Sequence, residues 1–472
     1  MKNKIILFLI VFSLGIITIY PSFVNAHSLD SYCTIHYGYK YAVESFLQKG
    51  QPVSTLSFII FDYIKLPFDS LSFVSAFLTA LFLSFSVIKI YSIINNNLNL
   101  KGNLNKIILL ISSFLLFFNP LLTEVLVLDD GFVIAIGIFL VMSAVSKINT
   151  NKLSNYIIAF ILIVLAGLCH KGALCYLFPV MLLTIISNKT SILKKSLIPF
   201  IAYIIALLSS FIFIKTINSS FNDINIIDNI KNIFTVLLPK ALLNLYGFMN
   251  TQIYYLIIAV VFSLIIYLII KSTNKKQNIL YLVLLLAFTI IVPFIPNLLD
   301  TSSEARMVLV LGAVPSILML YILIVLKLSD KLKCISFVVM LIMFIMSFML
   351  IHQNTMINFN RYKEDAKYIK LINERIKWYE NKSDYKVKTI YFAKDTDVSH
   401  YYDIGNANGA NIRILDVQWA LECAFPIYSE NKYTYKKMSK KDYNRYFKGK
   451  NYDKFDDKQL VFDKDKLYLL LY

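Results

Sequence analysis

Long apolar runs separated by short polar connections occupy the first three-quarters of the chain. They fall at residues 4–20, 70–93, 107–119, 131–146, 157–169, 173–187, 196–215, 251–270, 278–297, 307–326 and 334–351. At the ~20 residues a helix needs to cross hydrocarbon, this pattern predicts about eleven transmembrane helices. The runs at 107–119 and 157–169 are short for a crossing. The first run reads as an uncleaved helix, or as a signal peptide ending at Val24-Asn25-Ala26. Two segments between runs follow a different rule. Residues 27–69 hold an amphipathic stretch from Tyr39 to Leu47, the breaker Gly50-Gln51-Pro52, and an apolar stretch from Ser54 to Lys65 interrupted by Asp62. Residues 216–250 begin polar, then alternate at helical spacing from Ile230 to Met249 around Pro239. Both predict helices lying at the membrane interface, and the second also admits a twelfth span.

After residue 351 the pattern changes. Residues 352–472 are polar, rich in Lys, Asp and Tyr, and hold no spanning run. Glu364 to Tyr379 reads as a helix, Lys388 to Phe392 and Leu467 to Tyr472 as strands, and Asn406 to Gly409 as a turn. The expected organisation is a transmembrane domain at 1–351 and a small α/β domain at 352–472.

Loop charge orients this bundle. Lysines gather in alternate connections: Lys2 and Lys4; Lys101 and Lys106; Lys147 and Lys152; Lys189, Lys194 and Lys195; Lys271, Lys275 and Lys276; Lys327, Lys331 and Lys333. The intervening loops hold Asp30, Asp129 with Asp130, Asp223, and Asp300 with Glu304. The positive-inside bias makes the lysine loops cytoplasmic, with the N-terminus inside and the C-terminal domain outside. A mean hydropathy of +0.63 excludes an ordinary soluble enzyme. The net charge of +18 does not call for nucleic acid, because much of the excess sits in short loops facing anionic lipid. Cys33 and Cys423 both fall on the outer side, where they stay free thiols or form one disulfide. The histidines show no zinc-ligand spacing.

The residues that could carry chemistry lie at outer mouths of the spans. Asp30 follows the first run, and Asp129-Asp130 precedes the span that begins at Gly131. Carboxylates this near hydrocarbon are costly unless they face water, a partner or a ligand. They suit a general base or a divalent-cation ligand (Mg or Mn), and equally a solvated helix N-terminus. His170-Lys171 stands in an outer turn, against the inside bias, where lysine suits a phosphate or simply snorkels. Arg306, close after Glu304, offers the planar fork that fits a phosphate, and equally a partner for Glu304 or a headgroup. No Gly-rich phosphate loop is present, so a cytosolic nucleotide site has no support.

In order along the chain come the outer Leu29-Asp30-Ser31-Tyr32 segment, Gly50-Gln51-Pro52-Val53-Ser54-Thr55-Leu56, Asn119-Pro120 before Asp130, His170-Lys171-Gly172-Ala173, Glu304-Ala305-Arg306-Met307-Val308, and a tail opening with Tyr362-Lys363-Glu364-Asp365-Ala366. This ordered series resembles the Gtr type II family of polytopic bacterial glucosyltransferases, of the broad GT-C class. It departs in carrying Gln51 where family members often have arginine, and in showing Asp30 without a clear acidic partner beside it. The resemblance implies a GT-C-like bundle in the bacterial cytoplasmic membrane. It implies transfer of a hexose, glucose by family, from a polyprenyl-phosphate carrier to a surface glycan outside the cytoplasm. Asp30 would match the first-loop acid, Asp130 (or its neighbour Asp129) the span-mouth acid, and Arg306 the late arginine. A small-membrane-protein flippase and a polyprenyl-phosphate glucosyl synthase would serve the same pathway. A polymerase or ligase of lipid-linked repeats is an alternative reading. A flippase or transporter is another, although repeated halves with interrupted helices are not seen.

Overall fold

The computed structural model describes residues 2–23, 29–150, 152–188, 192–217, 226–239, 241, 251–298, 305–326, 330–394, 418–429, 433–450 and 456–471. Among these, six helices are long and apolar enough to cross a membrane: Phe68–Leu98, Asn103–Leu126, Gly131–Ile148, Lys275–Leu298, Arg306–Val325 and Asp330–Lys382. Five shorter apolar helices accompany them: Lys4–Thr18, Leu153–Cys169, Lys171–Ser187, Ser196–Ser209 and Ala259–Lys271. The chain is a helical protein of membrane-protein character.

In lipid the hydrophobic effect does not drive helices together, so close packing and small residues must. The helix Leu71–Leu98 shows both. Leu83, Val87, Ile90 and Ile94 form a fully buried stripe at helical spacing. Ala76, Ala80 and Ser84 make a row of small side chains every fourth residue. Its neighbour Gly131–Ile148 packs in turn on Leu153–Cys169. There a Cβ on Gly137 would lie 2.8 Å from the Cβ of Ala173, a distance that real side chains do not adopt.

At the lysine-loop end, amides tie the bundle. Asn97 Nδ2 donates to Ser187 Oγ at 2.8 Å, Asn149 Nδ2 to Asn97 Oδ1 at 3.1 Å, and Asn188 Nδ2 to Asn149 Oδ1 at 2.9 Å. Three helix ends are thereby joined by neutral groups.

The segment expected at the interface folds as two helices, Tyr39–Gln48 and Pro52–Tyr63. Tyr39, Ala42 and Phe46 are buried at helical spacing and meet Phe58 and Phe61 of the second helix. Gly50, with φ of 69°, turns the chain, and Pro52 stands in the first turn where its missing N–H costs nothing. The later expected helix begins at Ile226 and passes into a π-helical turn at Ile233–Leu237. Its continuation through 242–250, like Asp223, lies outside the described residues.

The last apolar run and the helix expected at Glu364 to Tyr379 are one uninterrupted helix, Asp330–Lys382. The intervening residues, 352–363, are polar but contain neither Gly nor Pro, so nothing stops the helix there. At 1.5 Å per residue its 53 residues extend roughly 80 Å, far beyond a ~30 Å hydrocarbon core. Met340, Met343, Met346, Leu350 and Ile351 are buried in its first half, and Ile369, Ile372 and Ile376 pack a second, separate core.

That second core lies against a four-stranded sheet, order β2-β1-β4-β3. β1 (Thr389–Lys394) pairs in parallel with β2 (Thr434–Lys437) and β4 (Lys466–Leu471), and β3 (Leu460–Asp463) pairs antiparallel with β4. β1 and β4 fall within one or two residues of their expected places, whereas β2 and β3 add to the expectation. The expected turn at Asn406 to Gly409 lies outside the described residues. Cys33 and Cys423 form a disulfide with a Cα–Cα distance of 4.7 Å, which binds the helix Leu29–Tyr37 to the helix Gln418–Tyr428.

Candidate functional site

Three short 3-10 segments meet at one end of the bundle: Pro120–Leu122, Lys171–Tyr176 and Ala305–Ala313. Buried Asn119 joins them. Its Oδ1 accepts from the Leu121 N–H at 3.1 Å, and its Nδ2 donates to Tyr176 Oη at 3.2 Å. Gly312 packs so closely on the Asn119 amide that a Cβ there would strike it. The Asn119-Pro120 pair is therefore a structural junction. The four-residue helix Thr123–Leu126 follows it and also packs against Ala305–Ala313.

The chain then reaches the two aspartates. Both are buried, Asp129 at 7% and Asp130 at 5% exposure. Asp130 precedes the helix Gly131–Ile148 in the N-cap position, but its side chain makes no capping bond. Its Oδ2 instead accepts from Ser54 Oγ at 2.9 Å. Asp129 Oδ1 accepts from Ser31 Oγ at 2.8 Å. Each carboxyl group thus holds a serine from a different helix. Ser75 Oγ adds a bond to the Leu128 carbonyl at 3.1 Å, which fixes the loop from below. The helix N-terminus favours negative charge at this position, and hydrogen bonds to the carboxylates offset part of the cost of burial.

Tyr39 stands near Asp129 and donates its hydroxyl to the Leu66 carbonyl at 2.7 Å. Burial first, then the charges of Asp129 and Asp62, push its phenol up to about 12. A narrow crevice of about 20 Å³, room for about one water, opens beside Asp129 between Ser22, Leu126, Phe359 and Tyr362.

The basic residues assemble on the facing segments. His170 is buried and its Nδ1 accepts from the Gly172 N–H at 3.0 Å. With Nδ1 occupied as an acceptor, the ring proton sits on Nε2. Burial, then the charges of Arg306 and Lys171, lower its pKa to about 3. His170 is a neutral hydrogen-bond donor at physiological pH, not a cation. Gly172 lies against the Arg306 carbonyl, where any Cβ would collide with it. The His170-Lys171-Gly172 turn and the Arg306 segment are therefore docked onto one another. Lys171 and Arg306 are both partly buried.

Of the residues singled out in the sequence, Asp129, Asp130, His170, Lys171 and Arg306 are brought to packed neighbouring elements. Asp30 lies on the helix Leu29–Tyr37, one position before Ser31, and its side chain lies outside the described residues, as does all of Glu304. Sequence reasoning passed over Glu124, which is 1% exposed on the helix Thr123–Leu126. Its signal was present: an acid in the same lysine-free loop as Asp129 and Asp130. It also passed over the serines. Ser31 and Ser54 lay inside quoted motifs, but nothing in their spacing announces that they bind carboxylates 98 and 76 residues away.

Two adjacent carboxylates are the donor set that Mg2+ or Mn2+ takes with waters and a phosphate. Among the described residues, no third His, Cys, Asp or Glu joins them in a metal-binding group. Compared with family models, curated proteins and solved structures, the chain shows no significant match to any of them.

Proposed function

We propose that this chain is a polytopic glycosyltransferase of the bacterial cytoplasmic membrane. It takes a hexose, glucose by its resemblance to Gtr type II proteins, from a polyprenyl phosphate and passes it to a surface glycan. One observation carries the reading. Two buried aspartates at a helix mouth lie on elements packed against the segments that bear Arg306 and Lys171. Acid and base on facing sides are what transfer from a sugar phosphate requires.

In the proposed reaction, a carboxylate of Asp130, Asp129 or Asp30 takes the proton of the acceptor hydroxyl. The acceptor oxygen bonds to the anomeric carbon as the bond from that carbon to the phosphate oxygen breaks. The departing polyprenyl phosphate carries a growing negative charge, which Arg306 and Lys171 neutralise. The neutral His170 donates a hydrogen bond and adds no charge. A divalent cation, if bound, would be held by Asp129 and Asp130 and would supply positive charge beside the phosphate.

The topology belongs to the same proposal. Six long and five shorter apolar helices fall on the eleven runs of the sequence and support eleven crossings. With the lysine loops inside, the aspartates, the sheet and the Cys33–Cys423 bond lie outside, in a compartment where disulfides persist.

The test is mass spectrometry of the surface glycan from cells lacking the gene, complemented with wild type or with Asp130→Asn. Loss of one side-branch mass, restored only by wild type, is expected. Loss of polymer length with intact repeats would replace this reading with a polymerase. An unchanged glycan in the deletion would remove the transferase reading for that acceptor.

A further inference from the structure

The lysine-rich end of the bundle holds two cavities that run into one another. The first, about 610 Å³, is bounded by Lys271, Ser272, Thr273, Asn274 and Leu326. The second, about 230 Å³, lies between Val261, Leu264, Met319 and Val339, and its exposed wall is entirely apolar. Tyr267 and Leu332 line both. A polar mouth therefore leads directly into an apolar slot between three helices. Its rim residues Val260, Tyr267 and Ile335 are exposed, so the slot opens on the apolar surface of the bundle, where a lipid chain can enter it.

The groups at the mouth are donors. The Lys271 ammonium stands 4.7 Å from the centre of the Tyr267 ring. Ser272 Oγ accepts from the Asn274 N–H at 3.2 Å and from Asn278 Nδ2 at 2.7 Å, so its own proton remains to be given. The helix Lys275–Ile290 begins here, and its N-cap Asn274 makes no side-chain capping bond. Cation, hydroxyl and helix N-terminus together favour an anion.

A second observation comes from the slot itself. Val339 lies two helical turns beyond Leu332, so the apolar wall continues about 10 Å further from the mouth. In a glycerophospholipid the acyl chains follow the phosphate at a comparable depth.

We infer that these cavities form a binding site for an anionic diacyl phospholipid of the lysine-side leaflet. Its phosphate meets Lys271 and Ser272, and one acyl chain fills the apolar slot. The site lies at the opposite end of the bundle from the aspartates and is independent of the transferase reading.

Native mass spectrometry of the purified full chain tests it, with phosphatidylglycerol and phosphatidylethanolamine as probes. Wild type should retain phosphatidylglycerol through delipidation about fivefold better than phosphatidylethanolamine, the preference one lysine gives an anionic lipid. Lys271→Glu should erase that preference, and Lys271→Gln serves if the glutamate variant does not fold. Val339→Phe, which fills the slot, should reduce retention of both lipids. Equal retention of the two lipids by wild type, or retention unchanged by both Lys271→Glu and Val339→Phe, would overturn the site.

Discussion

The two ends of the bundle both bury polar side chains, but they use them differently. At the lysine-loop end, Asn97, Asn149, Asn188 and Ser187 satisfy one another as neutral groups and join helix to helix. At the other end, Asp129 and Asp130 are buried acids, and the serines that support them come from separate helices. A neutral amide network needs no ligand to justify it, whereas a titratable acid near hydrocarbon calls for water, a partner or a ligand. The comparison teaches that burial of polar groups is not by itself a sign of chemistry. The capacity to ionise is the informative part.

The sharpest way to break this contrast is to neutralise charge on one side and remove an amide on the other. Asp130→Asn keeps the Ser54 contact in shape but removes the base, and should lower transfer by about 10²–10⁴-fold with normal insertion, measured as glycan modified per unit protein. Gly172→Ala should also impair transfer, because the new methyl pushes against the Arg306 carbonyl and displaces the guanidinium. A kinetic assay with purified enzyme should place that loss mainly in donor affinity.

Next in size is the link that holds the outer helices. Cys33→Ser should cost about 2–4 kcal/mol in the outer part of the molecule, read as earlier thermal unfolding that reductant reproduces in wild type. If reductant leaves wild-type unfolding unchanged, the disulfide does not form in the membrane.

A smaller effect separates the ends by pH. His170 has a folded pKa of about 3, below its ordinary value of about 6.5. Between those values the unfolded chain binds the additional proton. Stability from this residue is therefore present above pH ~6.5 and is lost as pH falls toward 3. His170→Gln should flatten that dependence, measured as the slope of melting temperature from pH 6.5 to 4.5. Smallest of all, Asn149→Ala should cost about 0.6–1.7 kcal/mol and leave transfer intact. A large activity loss there would dissolve the distinction between the two ends.

Much of this architecture is legible in the chain because hydropathy acts locally. Each predicted apolar run holds an apolar helix, and the breaker Gly50-Gln51-Pro52 separates two helices as its residue types require. What was not legible depends on distant pairing. Cys33 and Cys423 are 390 residues apart, so no local pattern could choose between a bond and two thiols. β2 is only Thr434–Lys437, a short and mostly exposed strand, and it exists because β1 lies beside it. The continuity of Asp330–Lys382 was hidden by a change in polarity, although polarity does not end a helix and only Gly, Pro or capping would. Within the site, the positions of the aspartates were readable, because charge beside hydrocarbon is conspicuous. The serine partners, the neutral state of His170 and the junction at Asn119 were not, because each is set by a neighbour far away in sequence.

The helix Asp330–Lys382 also makes the molecule a mechanical lever. Met346, gripped among the membrane helices, and Ile376, seated under the sheet, lie on one rigid rod about 45 Å apart. Bilayers of different thickness change helix tilt. A small change of angle at the buried end becomes a displacement of several ångströms at the sheet. The Cys33–Cys423 bond anchors the far arm of that lever to the helix that carries Ser31, next to the aspartates. A tilt of the rod is thereby passed through that bond to Ser31 and the acidic pair.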